Sequence, residues 1–286
     1  MSEIEGHAVV QKNSLTKTEL GKVERLKAQC NRHEGLDLYL YLDPADAPNH
    51  FLYYAGEELI GAATIQDGKE PEIYGMVHPN HRLRGVGRLL LDAVKAECQK
   101  RGYDNLLLVG EEASVSGKSF AAAIGAKHRF SEHGMVLNPA AIDRGRPRPT
   151  SLQLRSADTG DLETIAKIKS VSFGKPENEA LQETVQMHQA TDRVYYIGWL
   201  GDEAVGILRV GRYRDSADIT AFAVLPEHRG RGYGRGMLLD SVDLLLAEGW
   251  GRITIDVETE NDNALGLYLS CGFEVVKTYN FYDLAF

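Results

Sequence analysis

A short arginine- and glycine-rich stretch occurs twice in this chain, and that repeat constrains the fold more than any other feature. Residues 77–88 read VHPNHRLRGVGR and residues 224–235 read VLPEHRGRGYGR, with eight of twelve positions identical. The offset is 147 residues and persists downstream, where Gly102 falls on Gly249 and Gly125 on Gly272. Upstream, Gly61 matches Gly206 at an offset of 145, so two residues were gained or lost before the motif. A period this long marks a duplicated domain, because stacked repeat units run only to ~20–45 residues. Two domains of ordinary size fit 286 residues. The segment 139–150, PAAIDRGRPRPT, lacks apolar periodicity and reads as a linker. The expected domains are therefore 1–145 and 146–286.

The halves also share an order of elements. In the first, an apolar run at 8–10 precedes a helix from about Thr16, where Thr16 and Glu19 suit a capping box. Its apolar stripe is Leu20, Val23, Leu26 and Cys30. Strands are expected over 51–54 and 59–65, joined by a turn at Gly56, and over 74–77. In the second, a strand at 152–154 is followed by helices from about Asp161 and around 179–189. Strands follow at 194–199, 204–210 and 219–224, the first two joined by Gly201-Asp202. The pattern predicts a mixed, mostly antiparallel α/β fold in both halves.

The motif sits where a strand gives way to a helix. The strand end is Phe222, Ala223 and Val224, and the turn is Arg229, Gly230, Arg231, Gly232, Tyr233, Gly234 and Arg235. The helix after it carries Met237, Leu238, Val242 and Leu245 on its buried side and stops at Gly249. Free N–H groups of a first helical turn, with the helix dipole behind them, favour an anion. Glycines let the backbone approach a phosphate, and arginines add charge and planar donors. The first copy offers Met76, Val77, Arg82, Arg84, Gly85, Val86, Gly87 and Arg88. The spacing is not the dinucleotide fingerprint, which needs Gly-x-Gly-x-x-Gly on a βαβ unit. Further on, residues 253–257 form a strand, Ala264, Leu267 and Tyr268 share one helical face after Asn261, and Gly272 ends that helix.

Composition removes several classes. A net charge of −9 argues against a nucleic-acid binder. No window reaches the ~20 apolar residues needed to span a bilayer, and residues 1–13 show no signal peptide. Cys30, Cys98 and Cys271 lack the spacing of a disulfide framework or a metal site, which fits a reducing cytoplasm. Cys271 reads as a packed thiol. His81, His228, His188 and the pairs Tyr53/Tyr54 and Tyr195/Tyr196 carry no distinct catalytic signal.

Arg-x-x-Gly-x-Gly after a strand, followed by Asn-x-x-Ala-x-x-Leu-Tyr-x-x-x-Gly-Phe, resembles the GNAT acetyltransferase superfamily. The second half resembles it over its whole length, the first over its central motif and element order. The resemblance implies two tandem domains of that fold and acetyl-CoA as the acyl donor. The strand at residues 222–224 would pair with the pantetheine arm and the loop 229–235 would hold the pyrophosphate. Asn261 would sit beside the arm, and Tyr268 would be the general acid at the sulfur. Asp218, at the start of the same strand, is the candidate base, with Glu258 as alternative. The implied activity is N-acetylation of a small-molecule or peptide amine by a monomer or homodimer. A non-catalytic acyl-CoA-binding or regulatory protein is the other reading. Substrate loops would include the first helices of the second half and residues 211–216. At the offset of 147, Tyr268 maps to Ala121, Asn261 to Ser114 and Asp218 to Pro71. The first half thus lacks the phenol and the asparagine, and its nearest carboxylate, Glu72, is displaced by one residue. Chemistry is expected in the second half.

Overall fold

The computed structural model describes residues 8–189, 192–213 and 215–286. They form two compact units, one of residues up to Ser131 together with Lys277–Phe286, the other of Glu132–Val276. The first half supplies β1 (Val10–Lys12), α1 (Lys17–Glu34), β2 (His50–Ala55), β3 (Glu58–Gln66), β4 (Glu72–Val77), α2 (Val86–Lys100), β5 (Asn105–Glu111), α3 (Val115–Ala123) and β6 (Lys127–Leu137). The second supplies β7 (Leu152–Ser156), α4 (Leu162–Phe173), α5 (Glu177–His188), β8 (Arg193–Leu200), β9 (Glu203–Arg212), β10 (Ala217–Val224), α6 (Tyr233–Ala247), β11 (Ile253–Glu258), α7 (Asp262–Ser270) and β12 (Phe273–Ala285). Short 3₁₀ turns at Pro79–His81 and Pro226–His228 begin the two motif loops.

Local chemistry sets the helix ends. Thr16 Oγ1 accepts from the Glu19 amide at 3.3 Å and Glu19 Oε2 accepts from the Thr16 amide at 2.8 Å, completing the expected capping box. Val23, Leu26 and Cys30 of α1 are buried, and Leu20 is half-buried. The apolar run at 8–10 barely enters a strand, since β1 begins at Val10.

In the first unit, β1 to β4 run antiparallel in order, β4 and β5 are parallel, and β5 is closed by an antiparallel strand. The second unit repeats this with β7 to β10, β11 and a closing strand. The closing strands are exchanged. Residues 279–285 of β12 pair with β5, and residues 132–136 of β6 pair with β11. The compact units therefore do not follow the division of the repeat.

The proline-rich segment is not a loose connector. It belongs to the second unit, where Ile142 is buried in the core with Met237, Leu238 and Phe273. The Asn138 amide donates to the Gly272 carbonyl at 2.7 Å, and Arg148 pairs with Asp243 at 2.6 Å. Both units carry core on both sheet faces. In the second, α6 covers Val210, Ala217 and Ile219, while α4 covers Tyr195, Ile197, Ile207 and Ala223.

Candidate functional site

The loop of the second unit is a strand-to-helix turn held open by glycine. Gly230 and Gly232 lie at φ +74° and +81°, in the left-handed region that side chains resist. Gly232 caps the 15-residue helix α6 with no side-chain hydrogen bond, and among the described residues no side chain accepts from its first-turn amides. Arg229 Nε donates to the Val224 carbonyl at 2.8 Å, tying the turn to the end of β10. Arg231 is exposed, and Tyr233 is half-buried, its ring 6.3 Å from that of His228. A Cβ on Gly234 would lie 3.4 Å from Leu267 and 3.6 Å from Phe222 and Val224, so glycine lets the loop approach the strand and α7.

Arg235 departs from its expected place among the loop cations. It is 7% exposed, and Nη1 donates to the carbonyl and hydroxyl oxygens of Ser270, both at 2.8 Å. Nη2 donates to the Asp143 carbonyl. The side chain turns into the core and clamps the proline-rich segment to the end of α7. Cys271, 3.5 Å from the same guanidinium, is a fully buried thiol raised above its usual range by that burial.

Beside the loop the sheet opens. β10 pairs with β11 only through Ala217, Asp218 and Ile219. Toward β9 its register breaks between Thr220 and Ala223, and Ala221 lies at φ +47°. A non-glycine residue there is strained, and such strain is held where the surroundings over-determine it. The bulge turns Phe222 and Val224 toward the α6 face and Ala223 toward the α4 face. Along residues 222–224, β9 occupies one backbone edge, and among the described residues no strand pairs with the other.

Tyr268 faces this opening. Its ring stacks with Phe222 at 6.1 Å, and it is 6% exposed. Burial, then the charges of Asp256 and Cys271, push its phenol up to about 12, so it holds its proton at neutral pH. Asn261 caps α7, its Oδ1 accepting from the Ala264 amide at 3.1 Å. That role fixes the oxygen inward and leaves the amide nitrogen to donate. Asp218 has a buried Oδ1 without a hydrogen-bond partner, and its carboxyl is raised by burial against the opposing charges of Arg209 and Arg193. Glu258 lies exposed at the end of β11.

The first unit carries the same loop with different dressing. Gly85 lies at φ +89° and caps α2, but Leu83, fully exposed at φ +58°, stands where the second unit has Gly230. Arg82 donates to the Val77 carbonyl at 3.1 Å and is ion-paired with Glu34, which also accepts from the hydroxyls of Ser114 and Ser116. Arg84 and Arg88 are exposed. Met76 and Val86 are core residues, and Gly87 lies against Phe120. β4 and β5 pair only at Glu72 and Ile73, and the opening leads into a cavity of about 750 Å³. Tyr74, Val77, Gly85, Arg88, Phe120 and Tyr282 are among its walls.

One sequence expectation is overturned by register. Asp218 pairs with Gly211 and Thr254, and Glu72 pairs with Gln66 and Leu107. Because Gln66 stands to Gly211 as Gly61 does to Gly206, the equivalent of Asp218 is Glu72 and not Pro71. The bulge near Ala221 adds one residue to β10 that β4 lacks. Glu72 is therefore not displaced to the other sheet face. Its carboxyl accepts from Tyr74 Oη at 2.7 Å and is raised by burial, which that hydrogen bond opposes. The other mappings survive. α3 and α7 are both nine residues long, capped by Ser114 and Asn261, and Ala121 stands 1% exposed at the position of Tyr268.

Nothing in the sequence announced the bulge, since no glycine or proline marks residues 219–224. Among the described residues no cluster of His, Cys, Asp or Glu would hold a metal, and no helix is long and apolar enough to cross a membrane. Of the expected substrate segment 211–216, Arg214 lies outside the described residues, as do residues 1–7 of the N-terminal stretch.

Known proteins match this arrangement along most of the chain. The chain is 27% identical over 234 residues to a mycothiol acetyltransferase of Clavibacter michiganensis subsp. michiganensis, covering 75% of this chain and 72% of that protein. It is 26% identical over 273 residues to that of Actinosynnema mirum, covering 88% and 91%. A GCN5-related N-acetyltransferase from Sphaerobacter thermophilus superposes with a TM-score of 0.75 at 17% identity, over 97% of this chain and 95% of that one. A tandem GNAT protein from the clavulanic acid biosynthesis pathway gives 0.72 at 16%, over 98% of both chains. The family model for Acetyltransferase (GNAT) matches twice, at residues 20–123 and 162–273. The chain belongs to the GNAT acetyltransferase family, as a tandem member.

Proposed function

We propose that this protein transfers an acetyl group from acetyl-CoA to a primary amine of a small molecule or peptide, and that the second unit performs the transfer. The observation that carries the reading is the strained bulge at Ala221 opposite Tyr268. It leaves the edge of residues 222–224 open to an extended, amide-bearing ligand, with a protonated phenol across the opening. The loop from Arg229 to Gly234 suits a pyrophosphate, with the unoccupied amides of α6 behind it. Arg235 supports that loop from within. Acetyl-CoA supplies an acyl group activated as a thioester. Asp218 receives the proton that the amine sheds on attack, directly or through water, and Tyr268 donates a hydrogen bond to the departing sulfur.

The first unit, in this reading, holds a CoA ester without turning it over. Its cavity and loop suit the ligand, and it keeps a carboxylate at Glu72, but Ala121 offers no proton donor. Three buried, unpaired cysteines suit a cytoplasmic protein.

Acetyl-CoA is expected to raise the melting temperature by mass action, and a panel of primary amines should include acceptors that release free CoA. A thermal shift without release from any amine would favour a binding protein over an enzyme.

The pH profile tests the base. A general base works ionised, so activity rises with pH through its pKa and is lost below it. Burial raises the Asp218 carboxyl, while Arg209 and Arg193 hold it back. The acidic limb of kcat/KM is therefore expected above the ordinary carboxylate range near ~4. Asp218→Asn should lower the rate and remove that limb. An unmoved limb would transfer the role to Glu258 or solvent.

A further inference from the structure

On the α4 face of the second unit's sheet, three strands bring together a polar group around Asp218 whose other members have no part in the transfer machinery described above. Register puts Arg193 of β8, Gly211 of β9 and Asp218 of β10 in one row, and Tyr195, Arg209 and Thr220 in the next. Side chains two apart on a strand share a face, so all six positions face the same way. Gly211 leaves a gap in the first row. A Cβ there would lie 2.1 Å from Asp218 Oδ1 and 2.9 Å from Tyr213 Oη, so carboxylate and phenol converge over the glycine.

The two arginines are partnered differently. Arg209 Nε donates to Thr220 Oγ1 at 3.1 Å, and its guanidinium lies 5.8 Å from the centre of the Tyr195 ring. Among the described residues no carboxylate forms an ion pair with it. Arg193 Nη1 meets Met187 Sδ at 3.6 Å, on α5. Arg193 Nε also lies 4.0 Å from Asp192 Oδ2, so Arg209 is the guanidinium of the group for which no ion pair with a carboxylate is formed, in a half-buried setting. Among the described residues, Asp218 Oδ1 and the hydroxyl of Tyr195, a residue 2% exposed, find no hydrogen-bond partner. A buried polar group without a partner costs stability, and one aimed at a ligand is satisfied when that ligand binds.

The first unit does not repeat this. Glu72 replaces Asp218, but the positions of Arg209 and Tyr195 are held by Thr64 and His50, which pair with each other across β3 and β2. The arginine is a property of the second unit alone.

We infer that the acceptor is an amine that also carries a carboxylate, an amino-acid-type substrate whose amino group meets Asp218 and whose carboxylate meets Arg209, with Arg193 beside it. The inference rests on the proposed transfer to an amine and adds the acceptor's second group. Asp218 and Arg209 are diagonal neighbours on adjacent strands, with a spacing of ~7–8 Å at the backbone. That spacing suits an amine and a carboxylate separated by one or two carbons. An arginine binds a carboxylate through two parallel N–H donors, which an ammonium-bearing lysine does not reproduce.

Calorimetry with N-acetylated amino acids and their C-terminal amides, in the presence of CoA, tests this without relying on turnover. Wild-type protein is expected to bind one or more of the acids about 10–100-fold more tightly than the matching amides, the range of one charge-assisted contact. Arg209→Gln should bring acid and amide within about threefold, and Arg209→Lys should restore only part of the difference. Equal binding of acids and amides by the wild type, or a preference that survives in Arg209→Gln, overturns the inference. A carboxylate preference without CoA release from any amine would keep this site and defeat the transfer reading instead. Thermal melts of both variants distinguish lost binding from lost folding.

Discussion

Gly232→Asp is expected to reduce kcat/KM for acetyl-CoA by about 100-fold or more, while Gly85→Asp leaves turnover within about twofold. The two positions form a matched pair. Each glycine caps the helix after its loop, at φ +81° and +89°. A side chain at Gly85 meets nothing within 4 Å, and one at Gly232 meets only Pro149, at 3.4 Å, an ordinary contact. Both substitutions therefore cost similar backbone strain, and aspartate tolerates this region better than most residues. What differs is what the carboxylate repels. At Gly232, on the proposed assignment, it would face the pyrophosphate of the donor that is consumed, and losing charge-assisted contacts to that group costs about 1.5–3 kcal/mol or more. At Gly85, on the proposed assignment, it would face a donor that is held and not consumed. Calorimetric stoichiometry should fall from two acetyl-CoA to one in either variant. Activity halved in each would mean two working centres and would defeat the assignment of chemistry to the second unit.

Tyr268→Phe is expected to lower kcat by about 10²–10³-fold with little change in acetyl-CoA binding, the usual loss for one donor aimed at developing charge. The raised phenol limits what the residue can do. Near 12 it is a weaker acid than an ordinary thiol near ~8.5, so a departing thiolate cannot take its proton outright. In the proposed reaction Tyr268 would therefore share a hydrogen bond with sulfur as the bond to carbon breaks, and solvent would complete the protonation. Two readouts follow. The basic limb of the pH profile should show no ionisation of Tyr268 below about pH 10, and phenylalanine should lose rate across the whole range. Unchanged turnover in Tyr268→Phe would make the phenol a packing residue against Phe222 and Phe273.

How much of this was legible depended on whether a residue's role is local. The loop glycines, the helix after Asn261 and the position of Tyr268 on it follow from short-range spacing, and the substitution of Tyr268 by Ala121 holds because both helices keep their length and cap. Asp218 against Glu72 was misjudged. A bulge carried by an alanine leaves no mark in composition, yet it changes the register by one residue and so the face. Arg235 misled for another reason. An arginine beside glycines suggests a surface cation, and only the fold shows its guanidinium turned inward to Ser270 and Asp143. The proline-rich segment has linker composition, but the single apolar residue Ile142 anchors it. The exchange of closing strands is a long-range choice between two copies of one sequence pattern, and local pattern does not decide it.

That exchange bears on the order in which the molecule is made. The strand that closes the first unit pairs β5 with residues 279–285, some 170 positions later in the chain. During synthesis the first unit waits, with the edge of β5 unpaired, until nearly all of the second has emerged. An uncovered edge is a template for wrong partners, and β6, the strand that follows directly, is the nearest candidate to occupy it. Were β6 to take that edge, reaching the native pairing would require its release to β11. Long loop closure makes this slow by comparison with helix formation. The native pairing of β5 is thus among the last contacts that the growing chain can form.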